Sequence, residues 1–423
     1  MEKEQNSGLS RRGFLGSGLA AAGLSLSLMD YLRAEEVIPG FDQTQTDSDD
    51  SLWKPFSDKK VRVGIVGYGV CKFGAAFSFQ DHPNVEVAAV SDLFPERRDG
   101  LAAACRCEKT YDSLEEMVKD DSIEAIFLAT DAPSHARQSV MVLEHGKHVC
   151  HAVPAFFGDP EDGHRLAEAV KNNPGLKYMM FETSVYHDDI YAMEKLYAAG
   201  VFGEIAYSEG EYYHPSSIGE PYLGSYKGWR NNGAPMWYPT HGSAYYVAIT
   251  HGRFVDVTAR GVRPQKGEEP YTVQNPYDTS VNPFVGEYSL SRTSDGGLFR
   301  MGRGHSQGEY VEGGRIRGQY AGYDSHNGRI DGFVGDAEGK RGLEEALANG
   351  LNLKKPPLPP GVDAGGHGGS HGYLSDNFVR AILLDQPTKV DIRDSLHMTT
   401  MGYYAHLSAL KDGETIAIPE YSF

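Results

Sequence analysis

The first half of the chain alternates short apolar runs with amphipathic stretches. The apolar runs predict strands, and the stretches between them show helical spacing of apolar positions. The predicted strands are 61–66, 85–90, 123–129, 148–150 and 177–181, and the predicted helices are 73–79, 133–144, 161–171 and 186–199. Strands and helices that repeat at this spacing are typical of a parallel, doubly wound sheet, which binds ligands at the carboxyl ends of its strands.

The second half changes to a period of two. From residue 204 onwards, polar and apolar positions alternate between glycine-rich turns, in segments 207–213, 255–262, 286–291, 297–303 and 309–319. This pattern predicts an α/β domain with a large, open and mostly antiparallel sheet, closed by helices at 374–384 and 392–410. We expect the sheet face without helices to pack against a second subunit, giving a homo-oligomer, either a dimer or a tetramer.

The N-terminus has the pattern of an export signal. Ser10, the pair Arg11 and Arg12, Phe14 and Leu15 stand in twin-arginine order before a weakly apolar stretch. We predict a signal peptide at 1–34, a disordered acidic linker at 35–58, an N-terminal Rossmann domain at 59–183 and a substrate and oligomerisation domain at 184–423. Whether the C-terminal helices pack back on the Rossmann domain stays open. The predicted location is the periplasm or another exported compartment, reached after folding.

Composition removes several classes of protein. The 423 residues fit two domains, and 40 basic against 58 acidic residues give a net charge of −18, which would repel nucleic acid. The region after the signal has no apolar run of roughly 18 residues, so we predict no membrane segment in the mature protein. Four cysteines are too few for a disulfide framework, and no histidine spacing resembles a zinc motif, so no metal is predicted.

The first predicted strand runs into Gly67-Tyr68-Gly69, a dinucleotide-binding turn. Asp92 follows the second strand 25 residues after Gly67, where a carboxylate meets the adenosine ribose. Lys72 stands where the fingerprint has its third glycine, so the turn is either displaced or longer by two residues, up to Gly74. The acid favours NAD over NADP, whereas Arg97 and Arg98 nearby leave NADP open. The predicted cofactor-binding residues are Gly67, Tyr68, Gly69, Asp92, Thr130, His135 and Glu182.

These features resemble the Gfo/Idh/MocA oxidoreductase family over roughly residues 60–423. The resemblance rests on the turn and its acid, on A-T-x-x-P-x-H at 129–135, on Gly-Lys-His-Val at 146–149 and on Gly-Glu-Ile at 203–205. It implies tightly bound NAD(P), a sugar or cyclitol substrate and oligomers formed through the open sheet. The family's catalytic lysine, which precedes a proline, is replaced here by Val153 before Pro154.

The valine–proline pair and the segment Tyr238-Pro-Thr-His241-Gly are similar to the NAD-dependent glycosidases of glycoside hydrolase family 109. That resemblance implies functional roles for Tyr186, Arg230, Tyr238 and His241, whereas Ala152 replaces the glutamate of that branch. The histidine pKa lies nearest to neutral pH, so we predict His241 as general acid or base. Its catalytic partners are predicted to be Tyr238, Tyr186 and His151, the last as a substitute for the lysine. Arg230, Trp229 and His367 are predicted to bind substrate.

These observations leave three functions open. The first is an NAD-dependent oxidoreductase that transfers hydride from a carbohydrate or cyclitol to a tightly bound, recycled cofactor, because free cofactor is not supplied outside the cytoplasm. The second is a redox-neutral NAD-dependent glycosidase. The third is a carbohydrate-binding protein without turnover. The Ala152 departure places the oxidoreductase first.

Overall fold

The computed structural model describes residues 26–27, 53–214, 226–230, 233–264, 282–304, 310–326, 329–332 and 338–423. The predicted twin-arginine motif, the end of the predicted signal peptide at residue 34 and the linker up to residue 52 lie outside the described residues. No helix among those described is long and apolar enough to cross a membrane.

Residues 61–181 contain a Rossmann sheet. Its strands are β2 (Val61–Val66), β3 (Val85–Ser91), β4 (Thr110–Tyr111), β5 (Ala125–Leu128), β6 (His148–Ala152) and β7 (Tyr178–Phe181). All neighbouring strands are parallel, in the order β4-β3-β2-β5-β6-β7. The central strands are buried on both faces, which is why they have near-continuous apolar runs. The predicted doubly wound sheet is confirmed.

Helices connect these strands. They are α1 (Phe73–Ala76), α2 (Pro95–Cys105), α3 (Leu114–Met117), α4 (His135–Glu144), α5 (Pro160–Asn172) and α6 (Asp188–Ala198). The helix predicted at 73–79 is shorter than expected, since Ser78 has a φ of 56° and a 3₁₀ turn, Phe79–Asp81, replaces its end. A second 3₁₀ turn, Thr183–Tyr186, precedes α6 and holds the start of the helix predicted at 186–199.

The second sheet has nine strands among the described residues, which are β1 (Leu26–Ser27), β8 (Ile205–Tyr213), β9 (Phe254–Val262), β10 (Gly286–Thr293), β11 (Leu298–Gly304), β12 (Val311–Gly318), β13 (Ala321–Asp324), β14 (Arg329–Gly332) and β15 (Ile416–Ala417). Their order in the sheet is β1-β14-β13-β12-β8-β11-β10-β9-β15. Every neighbouring pair is antiparallel except β8 and β11, which are parallel. The predicted large, mostly antiparallel sheet is confirmed.

One face of the large sheet is covered by helices. The remaining helices are α7 (Thr240–Thr250), α8 (Glu338–Ala348), α9 (Gly366–Gly369), α10 (His371–Leu383) and α11 (Ile392–Leu410). Helix α7 is buried along almost its whole length and packs against β8, and α11 packs against both α7 and β9. Arg300, Arg315 and Glu209 form ion pairs between the strands β8, β11 and β12.

Helix α11 also joins the two domains, because it contacts β7 and α5 of the Rossmann domain. The Thr399 hydroxyl accepts a hydrogen bond from the Ala155 backbone N–H at 3.2 Å, in the loop after β6. One residue earlier, the Met398 carbonyl accepts a hydrogen bond from the Ser243 hydroxyl of α7 at 2.9 Å. Adjacent residues of a single helix therefore hold the loop after β6 and the helix that follows Tyr238.

Candidate functional site

The dinucleotide turn follows β2 directly. Gly67 has a φ of +102°, and a Cβ there would lie 2.4 Å from the Ala129 carbonyl oxygen, so only glycine fits. A Cβ on Gly74 would lie 2.4 Å from the Gly67 carbonyl oxygen, which makes Gly74 the residue that lets α1 pack against the turn. Of the two alternatives left by the sequence, the structure shows the longer turn, with Lys72 at a φ of 51° inside it.

Asp92 lies beside this turn at the end of β3. Its carboxylate accepts hydrogen bonds from the backbone N–H groups of Tyr68 at 2.7 Å and Phe94 at 2.9 Å. Above the turn is open space, since a Cβ on Gly69 would meet no atom within 4 Å. Uncrowded backbone next to a carboxylate is the arrangement that a dinucleotide needs. The residues present therefore fit a nicotinamide dinucleotide, which Gly67, Tyr68 and Gly69 would hold at its pyrophosphate and Asp92 near its ribose.

The other predicted cofactor residues lie on neighbouring strand ends. The Thr130 hydroxyl donates to Gln138 Oε1 at 2.5 Å, and His135 Nδ1 lies 3.0 Å from the Pro154 carbonyl oxygen. Burial lowers the pKa of His135, so this imidazole is neutral. It connects the loop after β5 to the loop after β6. Glu182, at the end of β7, was predicted to contact the cofactor, and in the structure its side chain contacts His241.

A cleft lies between the Rossmann turn and the large sheet. Val153 and Ala152, which replace the lysine and the glutamate of the two resembled groups, line it together with Cys71 of the turn. Its other walls are aromatic and basic. From the predicted set, the cleft brings together His241, Tyr238, Arg230, Trp229 and His367.

His241 and Glu182 form a buried ion pair. His241 Nδ1 donates to Glu182 Oε1 at 2.7 Å, and the side chains are 4% and 0% exposed. Burial opposes the charge on the imidazole, but the Glu182 carboxylate outweighs it and raises the pKa of His241 above 6.5. Burial likewise acts to raise the pKa of Glu182, yet the His241 charge and hydrogen bond lower it to about 2. The hydrogen bond to Glu182 occupies Nδ1, so His241 Nε2 remains for a ligand, accepting a proton when the imidazole is neutral and donating one when it is charged.

A hydroxyl connects this pair to a second carboxylate. The Ser184 Oγ lies 2.7 Å from Glu182 Oε1, 3.3 Å from His241 Nδ1 and 2.5 Å from Glu312 Oε1. Glu312 in turn lies 3.4 Å from His187 Nδ1. Glu312 and His187 line a second cavity, which shares His367 with the cleft. A series of polar side chains, Ser184 and Glu312, thus connects His241 at the cleft with the second cavity.

Aromatic rings surround the imidazole. The ring centroids of Tyr212 and Tyr238 lie 4.6 Å and 5.7 Å from that of His241. Burial raises the pKa of Tyr238 to about 12, so the phenol keeps its proton. The Arg230 guanidinium stacks 4.2 Å from the Trp229 ring and 6.0 Å from the Tyr238 ring. Together they form a cationic, aromatic wall suited to a polar ring-shaped ligand.

Two basic residues that line the cleft escaped the sequence analysis. Arg303 at the end of β11 and His214 just after β8 both line the cleft. Arg303 is 4% exposed, and its guanidinium stacks 4.6 Å from the Tyr212 ring. The two-residue alternation of β11 shows on which face of the sheet Arg303 lies. Arg303 lies next to Tyr212 because β11 pairs in parallel with β8. No local sequence pattern predicts that pairing.

The structure does not bring His151 to the cleft. Its side chain is fully buried between Tyr178, whose hydroxyl lies 2.7 Å from Nε2, and the Ala152 carbonyl, 2.6 Å from Nδ1. Strand alternation turns His151 away from Ala152, which does line the cleft. Burial lowers the pKa of His151 to about 3. This imidazole is neutral and cannot take the place of the lysine.

Tyr186 also lies elsewhere. It stacks on Tyr373 with ring centroids 5.4 Å apart and lines a separate cavity with Trp53 and Arg380. Burial raises its pKa. His367 does reach the cleft from the glycine-rich loop, where burial, followed by the charges of His241 and His371, lowers its pKa to about 4. Among the described residues, no group of three or more His, Cys, Asp or Glu side chains is arranged to hold a metal ion.

Comparison with known proteins identifies the Rossmann domain. Residues 61–181 match the model of an oxidoreductase family with an NAD-binding Rossmann fold. This family is Gfo/Idh/MocA, and the resemblance predicted from the sequence is confirmed for these residues. Among solved structures, levoglucosan dehydrogenase in complex with NADH and levoglucosan has a TM-score of 0.65 at 16% identity, covering 86% of this chain and 100% of that one. The WlbA dehydrogenase of Bordetella pertussis, in complex with NADH and UDP-GlcNAcA, has a TM-score of 0.65 at 19% identity and the same coverage.

Curated relatives belong to the other resembled group. A glycosyl hydrolase family 109 protein of Porphyromonas gingivalis is 29% identical over 227 residues, which are 49% of this chain and 47% of the relative. A family 109 protein of Bacteroides fragilis is 31% identical over 197 residues, 43% and 41% of the two chains. The chain thus spans less than half the length of these relatives. A family 109 protein of Shewanella pealeana matches at 24% identity over 98% of this chain and 96% of its own.

Proposed function

We propose that this protein is an NAD-dependent oxidoreductase that removes hydride from a carbon of a carbohydrate or cyclitol. The observation that carries the proposal is the buried Glu182–His241 pair, which places an acid–base imidazole on a cleft beside a dinucleotide turn. The Gfo/Idh/MocA match of the Rossmann domain and the sugar dehydrogenases among the structural neighbours support it.

Oxidation of an alcohol removes a hydride from carbon and a proton from oxygen. When bound, the nicotinamide supplies the hydride acceptor. His241 Nε2 takes the proton from the substrate hydroxyl and returns it in the reverse direction, while Glu182 holds Nδ1 and stabilises the imidazolium. Ser184 fixes the carboxylate by donating backbone and side-chain hydrogen bonds to it. His241 thereby performs the task for which Val153 has no proton-bearing group.

The remaining cleft residues orient the substrate. Tyr238, with its proton retained, donates a hydrogen bond to a sugar oxygen, and Trp229 offers an apolar face to the ring. Arg230 binds an oxygen at the other side of Tyr238. His367 reaches over the cleft from its loop and contacts the substrate near His241, from which its ring centroid is 6.4 Å away.

The cofactor is proposed to be NAD that stays bound between turnovers. The twin-arginine motif is the support, because an exported protein receives its dinucleotide before it leaves the cytoplasm. Each reduced cofactor must then be reoxidised in place by a second substrate. The same motif supports our proposal that the mature protein is located in the periplasm or another exported compartment. The face of the large sheet without helices supports a further proposal, that the protein is a homo-oligomer formed through that face.

A redox-neutral glycosidase is the second candidate. It is favoured by the family 109 relatives and by the segment that carries Tyr238 and His241. In that reaction, the oxidised sugar loses its glycosidic leaving group, adds water and takes the hydride back, so no net oxidation occurs. Ala152, in place of that group's glutamate, favours the oxidoreductase. A carbohydrate-binding protein without turnover is the third candidate, and inactivity of the intact protein would favour it.

A single experiment tests the three candidates. The purified full chain, without added NAD, is mixed with sugars, cyclitols and aryl glycosides while absorbance of reduced nicotinamide and glycoside cleavage are followed together. The oxidoreductase gives reduction that a second carbonyl sugar reverses. Cleavage without net reduction identifies the glycosidase. If mass spectrometry finds no dinucleotide in the native protein, and none binds when added, the NAD-dependent proposals are wrong.

A further inference from the structure

The Ser184 hydroxyl lies between two carboxylates. Its Oγ is 2.7 Å from Glu182 Oε1 and 2.5 Å from Glu312 Oε1. Glu182 follows β7 of the Rossmann sheet, whereas Glu312 belongs to β12 of the large sheet, 128 positions after Ser184 along the chain. Both carboxylates are buried, with side chains 0% and 6% exposed. The fold thus brings a second carboxylate to within one hydroxyl of the Glu182–His241 pair.

This hydroxyl has a single hydrogen, so Ser184 donates to only one of the two carboxylates at a time. A neutral His241 compensates the charge of Glu182 weakly, and donation of the hydrogen to Glu182 is then favoured. A charged His241 compensates Glu182 fully, and donation to Glu312 becomes favourable. The protonation state of His241 and the direction of the Ser184 hydrogen are therefore linked. Buried hydrogen bonds to a carboxylate are strong enough for this link to matter.

The other printed neighbours orient Glu312. His187 Nδ1 lies 3.4 Å from Glu312 Oε1, and its Nε2 lies 3.0 Å from the His367 carbonyl oxygen. Because a carbonyl only accepts, the hydrogen of a neutral His187 is on Nε2, and Nδ1 has none to donate to Glu312. The Tyr310 hydroxyl donates to Glu312 Oε2 at 3.4 Å. These contacts fix the carboxylate and supply no counter-charge while His187 is neutral.

Several charged and titratable groups surround His241. Burial opposes its charge, the Glu182 carboxylate and then that of Glu312 raise its pKa, and Arg303 acts to lower it. The other titratable groups around this imidazole are Tyr212 and His214 at the end of β8, Tyr238 before α7 and His367 of α9. Glu312 therefore acts on His241 in the same direction as Glu182, from the opposite domain.

We propose that Glu312 is a positioning residue of the acid–base centre, which receives the Ser184 hydrogen when His241 becomes charged and so stabilises the imidazolium together with Glu182. This inference rests on the proposed function, in which His241 exchanges a proton with the substrate. The substrate proton goes to His241 Nε2, Nδ1 keeps its hydrogen, and the Ser184 O–H bond only rotates. The charge that forms in the cleft is thereby shared between carboxylates of both domains.

The test follows the protonation of His241 directly, without turnover. The full chain, as purified, carries isotope-labelled histidine, and the imidazole nitrogen signals are recorded by NMR as a function of pH. The signal that is missing from His241→Asn belongs to His241. We expect Glu312→Gln to lower the pKa of His241 on the order of one pH unit, because a buried negative charge is lost from its surroundings. A pKa of His241 that stays in place overturns the inference.

A double-mutant cycle tests the part played by the hydroxyl. Ser184→Ala removes the hydrogen that the two carboxylates share. In this background, we expect Glu312→Gln to shift the pKa of His241 about half as much or less, since only the charge through space remains. An equal shift with and without the Ser184 hydroxyl overturns the inference.

Glu211→Gln is the matched control. Glu211 lies on β8 opposite Gly313, the residue after Glu312, and its carboxylate pairs with His326 Nε2 at 2.9 Å. This control is expected to leave the titration of His241 in place, and a shift as large as that of Glu312→Gln would overturn the inference. If Glu312→Gln does not fold, Glu312→Asp replaces it, because the shorter side chain withdraws the carboxylate from Ser184. The pKa of His241 should then fall as well, and an unchanged value overturns the inference.

The outcome for the proposed function is separate. If the chain oxidises sugars, the limb of the pH–rate profile that reports His241 should move to lower pH in Glu312→Gln, by the same amount as the NMR titration. A chain that never reduces its dinucleotide, but in which Glu312→Gln lowers the pKa of His241, supports this inference and contradicts the proposed oxidoreductase. A chain that oxidises sugars while the pKa of His241 stays in place does the reverse.

Discussion

His241 and His151 show how two equally buried imidazoles acquire opposite properties. Their residues are 3% and 0% exposed, so burial opposes protonation of both. His241 faces the Glu182 carboxylate at 2.7 Å, and its pKa rises, whereas His151 faces a phenol and a carbonyl, and its pKa falls to about 3. The partner, not the depth of burial, decides which histidine can exchange a proton at neutral pH.

The strongest test replaces each histidine in turn. We expect His241→Asn to reduce the rate of hydride removal roughly 10²- to 10⁴-fold, the usual loss when a general acid–base group is removed. His151→Asn is expected to leave the rate per folded molecule close to that of the parent. Single-turnover reduction of the bound dinucleotide measures both. Equal loss of activity in the two variants, at equal dinucleotide content, would show that His241 and His151 do not differ in this way.

Removing the carboxylate should make His241 resemble His151. In Glu182→Gln the imidazole stays buried without its counter-charge, so the pKa of His241 falls, and the limb of the pH–rate profile that reports it moves to lower pH. The rate at neutral pH is expected to fall on the order of tenfold. Glu287→Gln is the control, since Glu287 pairs with His406 at 2.7 Å outside the cleft wall. A limb that stays in place in Glu182→Gln would contradict this account.

Tyr178→Phe tests the other imidazole. It removes the hydroxyl 2.7 Å from His151 Nε2 and leaves a buried ring nitrogen without that partner. The expected cost is about 1–3 kcal/mol of unfolding free energy, measured by urea denaturation. The pH–rate profile should keep its shape, because His151 takes no part in proton transfer. A moved limb would show that His151 is coupled to the reaction.

The two imidazoles should also give stability opposite dependence on pH. His151 has a folded pKa of about 3 against 6.5 when unfolded, so its contribution is favourable above pH 6.5 and is lost as pH falls towards 3. His241, with a raised pKa, contributes fully below 6.5 and loses its contribution as pH rises through its folded value. In His151→Asn, the unfolding free energy should therefore depend less steeply on pH on the acid side, by at most about 1.4 kcal/mol per pH unit. In His241→Asn, the dependence should become less steep near neutral pH. Unfolding free energies from pH 4 to 8 check both.

The Rossmann half was predictable because its information is local. Each strand is a continuous apolar run, and the G-x-G turn, Asp92 and the resemblance follow one another within the chain. Lys72 departs from the glycine fingerprint, and the sequence left two alternatives there, a displaced turn or a longer one. The structure shows the longer turn. The candidate site was predicted only in part. His241, Tyr238 and Arg230 stand in one recognisable segment, but the sequence assigned Glu182 to the cofactor.

The missing parts depend on contacts between distant strands and turns. Glu182 meets His241 across 59 positions, and Ser184 meets Glu312 across 128. Arg303 reaches Tyr212 only because β11 lies parallel to β8 within an otherwise antiparallel sheet. His151 was selected for its distance in sequence from Val153, whereas strand alternation turns it to the opposite face. Periodicity identifies the faces of an element but not the element opposite to it.

The double attachment of helix α11 has a consequence for the order of events in biosynthesis. Thr399 and Met398 hold the loop after Val153 and Pro154 and the helix that carries His241, yet they are translated 244 and 155 residues after their partners Ala155 and Ser243. Until they dock, the two walls of the cleft lack these two hydrogen bonds to a shared helix, although the nucleotide turn has long been translated. A ribosome-bound chain that stops before residue 392 would thus retain the dinucleotide turn and lack a fixed acid–base centre. Loading of the cofactor can therefore precede the assembly of a working catalyst.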